Sequence, residues 1–270
     1  MIESAPVMLN NQFISFGRLL VAGRPGADVF EKDGIATYWA GCSSIFFNLL
    51  FLSEPVTGRT MLNQRLRVAA DYMRTKTEPG LFFISDDYLH GEVLTATDGA
   101  LEETGLVSMI ETIGMIGDLV AFEEGSKHPG LRFERVTDER GFYECADINS
   151  AAYSLPGELM RDGIDGATLW KERAYCYLAY LGDAAVSTAS VVESEGVLYV
   201  AFVATRPDME RRGFAEATMR HALSAASEAT GYRTTCLHAT QAGLPVYERM
   251  GYTPVTRIVG VGLVSPVVVR

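Results

Sequence analysis

At 270 residues, with 48% hydrophobic and 10% aromatic side chains, the chain is long enough for two cores, because domains cluster around 100 to 150 residues. No apolar run reaches the roughly 18 to 20 residues of a membrane span. The net charge of −11, from 34 acids against 23 bases, repels polyanions and sets nucleic acid aside as a partner.

The amino terminus, MIESAPVMLNNQ, lacks the basic start and apolar centre of a secretory signal, so a cytoplasmic protein is expected. In chain order, residues 11–20 read as a helix and residues 34–40 and 44–52 as strands. After a turn at 54–58, residues 59–77 read as a long helix, 81–85 as a strand, 97–104 as a helix and 106–116 as a strand. The apolar segments YWA (38–40) and SIFFN (44–48) read as core. The charged, Gly- and Pro-bearing stretch EEGSKHPG, residues 123–130, is the expected boundary. It divides the chain into domains 1–128 and 129–270.

Beyond it, LRFERV (131–136) alternates as a half-buried strand, and 137–152 reads as a helix capped by Thr137 or Asp138, with a shorter helix after Pro156. Residues 174–181, 184–193 and 197–205 form three strand-like runs broken at Gly182 and at 193–196, an antiparallel meander. Residues 213–230 are the strongest helix signal, stopped by Gly231; 234–239 is a strand, 240–250 a short helix ended by Gly251, and 252–264 a strand. The first half repeats this order faintly, which suggests a divergent duplicate.

Cys42, Cys145, Cys176 and Cys236 stand singly, outside metal or redox spacings, and read as small hydrophobes; no metal is expected. The stretch ERRGFA, residues 210–215, follows a strand and opens the best helix of the chain. A helix start presents unpaired N–H groups at the positive end of the dipole, which suits an anion. Two arginines there are electrostatically unfavourable unless an anion offsets them. Neither a GxxxxGK[ST] loop nor a GxGxxG fingerprint is present.

Residues 203–215, VATRPDMERRGFA, followed by LHATQAGLPVYERMGY at 237–252, resemble the acetyl-CoA loop and closing helix of the GNAT superfamily of N-acetyltransferases. The loop's usual form is Gln or Arg, two residues, Gly, one residue, then Gly or Ala. Here the first slot is Glu210, with Arg211 and Arg212 beside it.

The resemblance implies an α/β (α+β) fold of two GNAT-like domains, each a mixed, mostly antiparallel sheet flanked by helices. It implies acetyl-CoA as acyl donor, with the strand at Val203, Ala204 and Thr205 pairing with the pantetheine. The N–H groups of Arg211, Arg212, Gly213, Phe214, Ala215 and Glu216 would hold the pyrophosphate. Tyr247 takes the general-acid position, and transfer is direct to the amine of a small-molecule or peptide acceptor. Glu193, Glu195, His238 and a water relay stay open as the base, while His221 reads as a helix-face residue and Cys236 as core. The first half has no counterpart of ERRGFA: its turn EPVTGRTML (54–62) lacks the spacing. It is expected to be a degenerate domain that does not bind acetyl-CoA but shapes the acceptor pocket or mediates homodimer contacts. The alternatives are a non-catalytic acyl-CoA-binding or regulatory module, which Glu210 favours, and a transferase for longer acyl groups.

Overall fold

The computed structural model describes residues 4–119, 128 and 130–264. In chain order the elements are α1 (Ala5–Val21), β1 (Asp28–Lys32), β2 (Ile35–Trp39), β3 (Asn48–Leu52), α2 (Arg59–Arg74), β4 (Leu81–Ser85), α3 (Glu92–Thr95), α4 (Thr97–Thr104) and β5 (Leu106–Asp118). The second half continues with β6 (Leu131–Arg135), α5 (Glu139–Ala152), α6 (Gly157–Ile164), α7 (Leu169–Glu172), β7 (Ala174–Leu181), β8 (Ala184–Ser194) and β9 (Val197–Thr205). It ends with α8 (Phe214–Thr230), β10 (Thr234–Ala239), α9 (Leu244–Arg249) and β11 (Thr253–Leu263).

The chain forms two compact units, residues 1–114 with 255–270, and residues 115–254. In the first, the sheet runs β1-β2-β3-β4-β11-β5, with β3 and β4 parallel and β1-β2, β2-β3 and β4-β11 antiparallel. Side chains alternate across a strand, so β3 and β4 bury both faces. Phe51 and Phe83 meet Phe13 of α1 at 5.0 and 4.7 Å between ring centroids. Leu50, Leu52, Phe82 and Ile84 join one cluster with Leu62, Leu66, Ala69 and Met73 of α2. The YWA and SIFFN segments lie in this core: Tyr38, Trp39, Phe47 and Asn48 are all buried. Residues 45–47 form a 3-10 turn rather than strand. Asn48 closes that turn, accepting from the Gly41 N–H at 2.9 Å and donating to the carbonyls of Cys42 (2.7 Å) and Pro79 (2.8 Å). These bonds satisfy a buried amide that would otherwise be costly.

In the second unit β6-β7-β8-β9 is an antiparallel meander and β10 adds to β9 in parallel, with residues 115–118 of β5 beside β10. Asp138 caps α5, accepting from Gly141 N–H at 2.9 Å. Helix α8 packs across β7, β8 and β9, and α5 across β8 and β9. All four cysteines are free and buried. Each half of the chain thus runs strands, long helix, parallel strand, short helix or helices, strand, although β11, the closing strand of the second half, joins the first unit.

The boundary expected at 128 and the assignment of the last strand to the second domain both change. Residues 123–127 and 129 of the expected linker lie outside the described residues. Strand β11 pairs antiparallel with β4, from Ile258↔Ser85 to Val261↔Phe82, so from residue 255 onward it belongs to the first unit. Gly260 makes this approach feasible, because a Cβ there would stand 2.6 Å from Ile110 and 2.8 Å from Phe83.

Candidate active site

The site predicted around residues 203–216 is built by three departures from regular structure in the second unit. First, β9 and β10 pair only over Thr235↔Leu198 to Leu237↔Val200. Strand β9 nevertheless runs on to Thr205 and β10 to Ala239. The strands therefore part after Val200 and Leu237 and leave a gap between them.

Second, β9 is bulged beside that gap. Ser190 pairs with Ala201 and Thr188 with Ala204, so Phe202 and Val203 together oppose Ala189, the two-against-one count of a β-bulge. Phe202 has φ 52°, a left-handed conformation that costs a bulky residue about 1–3 kcal/mol. Beyond the bulge the Arg206 N–H bonds Val186 O at 2.9 Å, and backbone groups alternate sides along a strand. The backbone of Ala204 thus faces β8, where its carbonyl also accepts from Ser187 Oγ at 2.7 Å. Val203 and Thr205 turn theirs toward the gap.

Third, the loop into α8 holds Arg211 at φ 59° and Gly213 at φ 78°. Among the described residues no side chain caps α8, and its first backbone bond is Ala217 N–H to Gly213 O, 3.0 Å. Among the described residues, the N–H groups of Arg211 to Glu216 take no backbone acceptor. Arg211 and Arg212 are exposed and enter no ion pair among these residues. Glu216 pairs with Arg220 at 2.8 Å, and Phe214 is buried against Ala179 and Val186. Glu210 is exposed. Among the described residues five non-glycine residues have positive φ: Asp33, Ser154, Glu195, Phe202 and Arg211. Asp33 and Glu195 occupy tight hairpin turns with Gly34 and Gly196, where the conformation is ordinary; Phe202 and Arg211 border the gap.

Tyr247 lies on α9, just past the parted end of β10. Gly251, at φ 93°, ends that helix, with Gly251 N–H bonding Glu248 O and Tyr252 N–H bonding Tyr247 O, both 3.0 Å. This pattern is a Schellman closure, and it fixes Tyr247 against Tyr252 with ring centroids 6.1 Å apart. Tyr252 is itself tied to Thr235 Oγ1 at 2.9 Å. Burial, and secondarily the nearby Tyr153, push the Tyr247 phenol above its ordinary value. No hydrogen bond from its hydroxyl is present among the described residues.

The residues considered as base are spread apart. His238 is the first residue of β10 past the paired stretch, and its Nδ1 lies 2.9 Å from the Tyr199 hydroxyl. Burial pulls its pKa down to about 3, so the ring is neutral at physiological pH. Glu193 pairs with Arg173 at 3.5 Å and stands opposite Leu198, six residues or about 20 Å along the strand from Ala204. Glu195 turns the same hairpin, away from the gap. Cys236 is fully buried, and burial raises its thiol, which disfavours a thiolate nucleophile. His221 stacks on Phe133 at 4.5 Å, a packed helix-face residue.

His238 carries a measurable consequence. The unfolded chain binds a proton there near pH 6.5, the folded chain only near 3. The stability contributed by the neutral ring is therefore complete above about pH 6.5 and lost as pH falls toward 3. Between pH 6.5 and 4.5, unfolding free energy should fall about 2 kcal/mol more in the native chain than in His238→Gln. Denaturant melts at the two pH values measure this, and equal losses would exclude a buried neutral imidazole.

Sequence reasoning missed three features here. His128 stacks edge-on against Phe214 at 5.3 Å, and its Nε2 would stand 2.9 Å from a Cβ on Gly213. Trp170 of α7 packs on Phe202. In the first unit the equivalent gap is filled: Val56 pairs in parallel with Leu89, its N–H bonds Tyr88 O at 2.7 Å, and Val56, Tyr88 and Leu89 are all buried. The turn there is further closed by Arg65–Glu54 at 3.3 Å and Arg59–Glu103 at 3.2 Å.

Residues 172–254 match the family model described as an acetyltransferase (GNAT) domain. Among solved structures, the whole chain is similar to a GCN5-related N-acetyltransferase from Kribbella flavida, at 16% identity over 99% of this chain and 98% of that one, with a TM-score of 0.69. It is also similar to a functionally unknown conserved protein from Staphylococcus epidermidis, at 12% identity over 89% and 94% of the two chains, TM-score 0.64. A tandem GNAT protein from the clavulanic acid biosynthesis pathway aligns at 10% identity over 96% of this chain and 87% of that one, TM-score 0.58. None of the curated proteins matches the chain. Residues 172–254 of the second unit therefore match a GNAT acetyltransferase domain, and the chain as a whole is similar in fold to GNAT proteins, a tandem one among them. Among the described residues no helix is long and apolar enough to cross a membrane.

Proposed function

We propose that the protein is an acetyl-CoA-dependent N-acetyltransferase in which the second unit carries out the chemistry. The observation that carries this reading is the parting of β9 from β10 directly before an uncapped helix start that two exposed arginines flank. The pantetheine amides would take the strand place that β10 leaves open beside Val203 and Thr205. The pyrophosphate would accept from the N–H groups of Arg211 to Glu216, with Arg211 and Arg212 offsetting Glu210.

In this reading the neutral acceptor amine attacks the thioester carbonyl. A C–N bond forms as the carbonyl π bond moves onto oxygen, and a backbone N–H at the Phe202 bulge stabilises that oxyanion. Collapse breaks the C–S bond, Tyr247 protonates the departing sulfur, and the proton of the acylated nitrogen leaves to water. The acyl group never rests on the protein, in keeping with a Cys236 thiol that burial holds protonated. His238, neutral and bonded to Tyr199, fits an orienting place better than that of a strong base. The first unit, its gap closed by Val56 and Leu89, does not bind acetyl-CoA.

Calorimetric titration with acetyl-CoA, followed by thiol release over a panel of primary amines, tests the proposal. One bound acetyl-CoA per chain is expected; two per chain would overturn the assignment of the first unit, and none would overturn the whole reading. Glu210 favours a second reading, an acyl-CoA-binding module without turnover. Binding with no thiol release on any amine would select it.

A further inference from the structure

The strained residue at the bulge needs something to hold it. Phe202 keeps φ 52° within β9, and such a conformation persists only where its surroundings over-determine it. The ring of Trp170 meets the Phe202 ring edge-on, with centroids 5.1 Å apart and planes at 73°. Behind it stands Phe142 of α5, 6.3 Å from Trp170. Trp170 is 4% exposed, and its indole N–H is buried with no hydrogen-bond partner among the described residues. Leaving a donor unsatisfied is a penalty that phenylalanine or leucine would not incur. The place therefore retains the large ring against a cost, at the one point of β9 where the backbone leaves the regular strand.

We propose that Trp170 is a positioning residue for acyl transfer: backed by Phe142, it clamps the Phe202 side chain and so holds the bulge backbone in its left-handed conformation where it borders the β9–β10 gap. The part of this that concerns the thioester carbonyl rests on the acetyltransferase reading. The part that concerns the backbone does not.

The two parts separate in one double-mutant cycle on the full chain: Trp170→Leu, Phe202→Gly and both together. Glycine adopts positive φ without help, so in the Phe202→Gly variant the bulge should no longer need the tryptophan. In the ligand-free protein, Trp170→Leu is expected to move the Cα and Cβ chemical shifts of Phe202 out of the left-handed range. With acetyl-CoA and an amine that the native protein acetylates, it should lower kcat at least about tenfold, a part of the 100- to 1,000-fold typical of losing an oxyanion donor, while acetyl-CoA Kd changes less than about threefold. In the Phe202→Gly background the same replacement should leave kcat unchanged. Trp170→Phe, milder in packing, supplies the comparison if the leucine variant unfolds, with a smaller displacement of the same signals. Phe202 shifts that ignore both replacements overturn the proposal, as does an equal loss of kcat in the two backgrounds, the mark of a merely structural tryptophan. If the native protein neither binds nor turns over acetyl-CoA, the acetyltransferase reading fails and the Phe202 shifts alone decide the clamp.

Discussion

Replacing Gly213 with glutamate is expected to weaken acetyl-CoA binding at least about 100-fold, with the protein still folded. Three effects act in the same direction. Gly213 sits at φ 78°, where any side chain is strained, and a Cβ would stand 2.9 Å from His128 Nε2, so the His128 ring must give way. The new carboxylate would enter the uncapped start of α8, where its oxygens compete with the pyrophosphate for the N–H groups of Phe214 to Glu216. It also adds like charge: about 5 Å from a phosphate, at an effective dielectric near 20, the repulsion is about 3 kcal/mol, a little over 100-fold in affinity. Gly213→Ala carries only the strain and should cost much less. Arg212→Glu carries the charge without the strain and, being exposed, should show a smaller loss that shrinks further in high salt. Acetyl-CoA titrations of the three variants at two ionic strengths measure the series. Native affinity in Gly213→Glu would remove the loop from the cofactor site.

The parts of this site that periodicity and turn chemistry encode were readable in the sequence. The meander 174–205 and helix 214–230 carry their own signals: strand-like runs broken at Gly182 and at the Glu195–Gly196 turn, and alanines bounded by Gly213 and Gly231. What was not readable depends on partners distant in sequence. Strand β11 has an ordinary strand pattern, and nothing in it says that its hydrogen bonds go to β4 some 170 residues earlier, as Thr256 does with Ser85 Oγ at 3.3 Å. Strand β1 escaped because four of its five residues are exposed, Val29 and Phe30 among them, although Asp33–Gly34 is a strong hairpin turn signal. The bulge at Phe202 is silent in VLYVAFVAT: its cause is a mismatch in count with β8, not a residue type. Likewise EPVTGRTML shows that the first unit lacks the spacing of ERRGFA, but nothing in it signals the bridge from Val56 to Leu89, a partner some 30 residues on.

Tyr247→Phe is expected to lower kcat for thiol release about 100-fold while leaving acetyl-CoA Kd within about threefold. Phenylalanine keeps the ring against Tyr252 and the Schellman closure of α9, which is made by backbone, so what is removed is one hydroxyl. That hydroxyl is held protonated, since burial raises its pKa, and as a weaker acid than a thiol near 8.5 it does not transfer its proton to a resting sulfur. Its proton moves only as negative charge builds on the sulfur while the C–S bond lengthens, so the interaction belongs to the transition state and its loss appears in kcat rather than in binding. General acids of this kind contribute about 100- to 10,000-fold, and the poor match between a raised phenol and a thiolate points to the lower end. The same upward shift fixes the pH profile. Because the acid must be protonated and its folded pKa lies above the ordinary tyrosine value near 10, native kcat should not fall between pH 7 and about 10, and the neutral amine should make kcat/KM rise with pH over that range. His238, titrating only near pH 3, adds no limb of its own above pH 5. A descending limb below pH 9 that vanishes in Tyr247→Phe would mean that the phenol is not raised in the folded protein. A variant within threefold of native kcat would assign protonation of the sulfur to water and leave Tyr247 as a packing residue of α9.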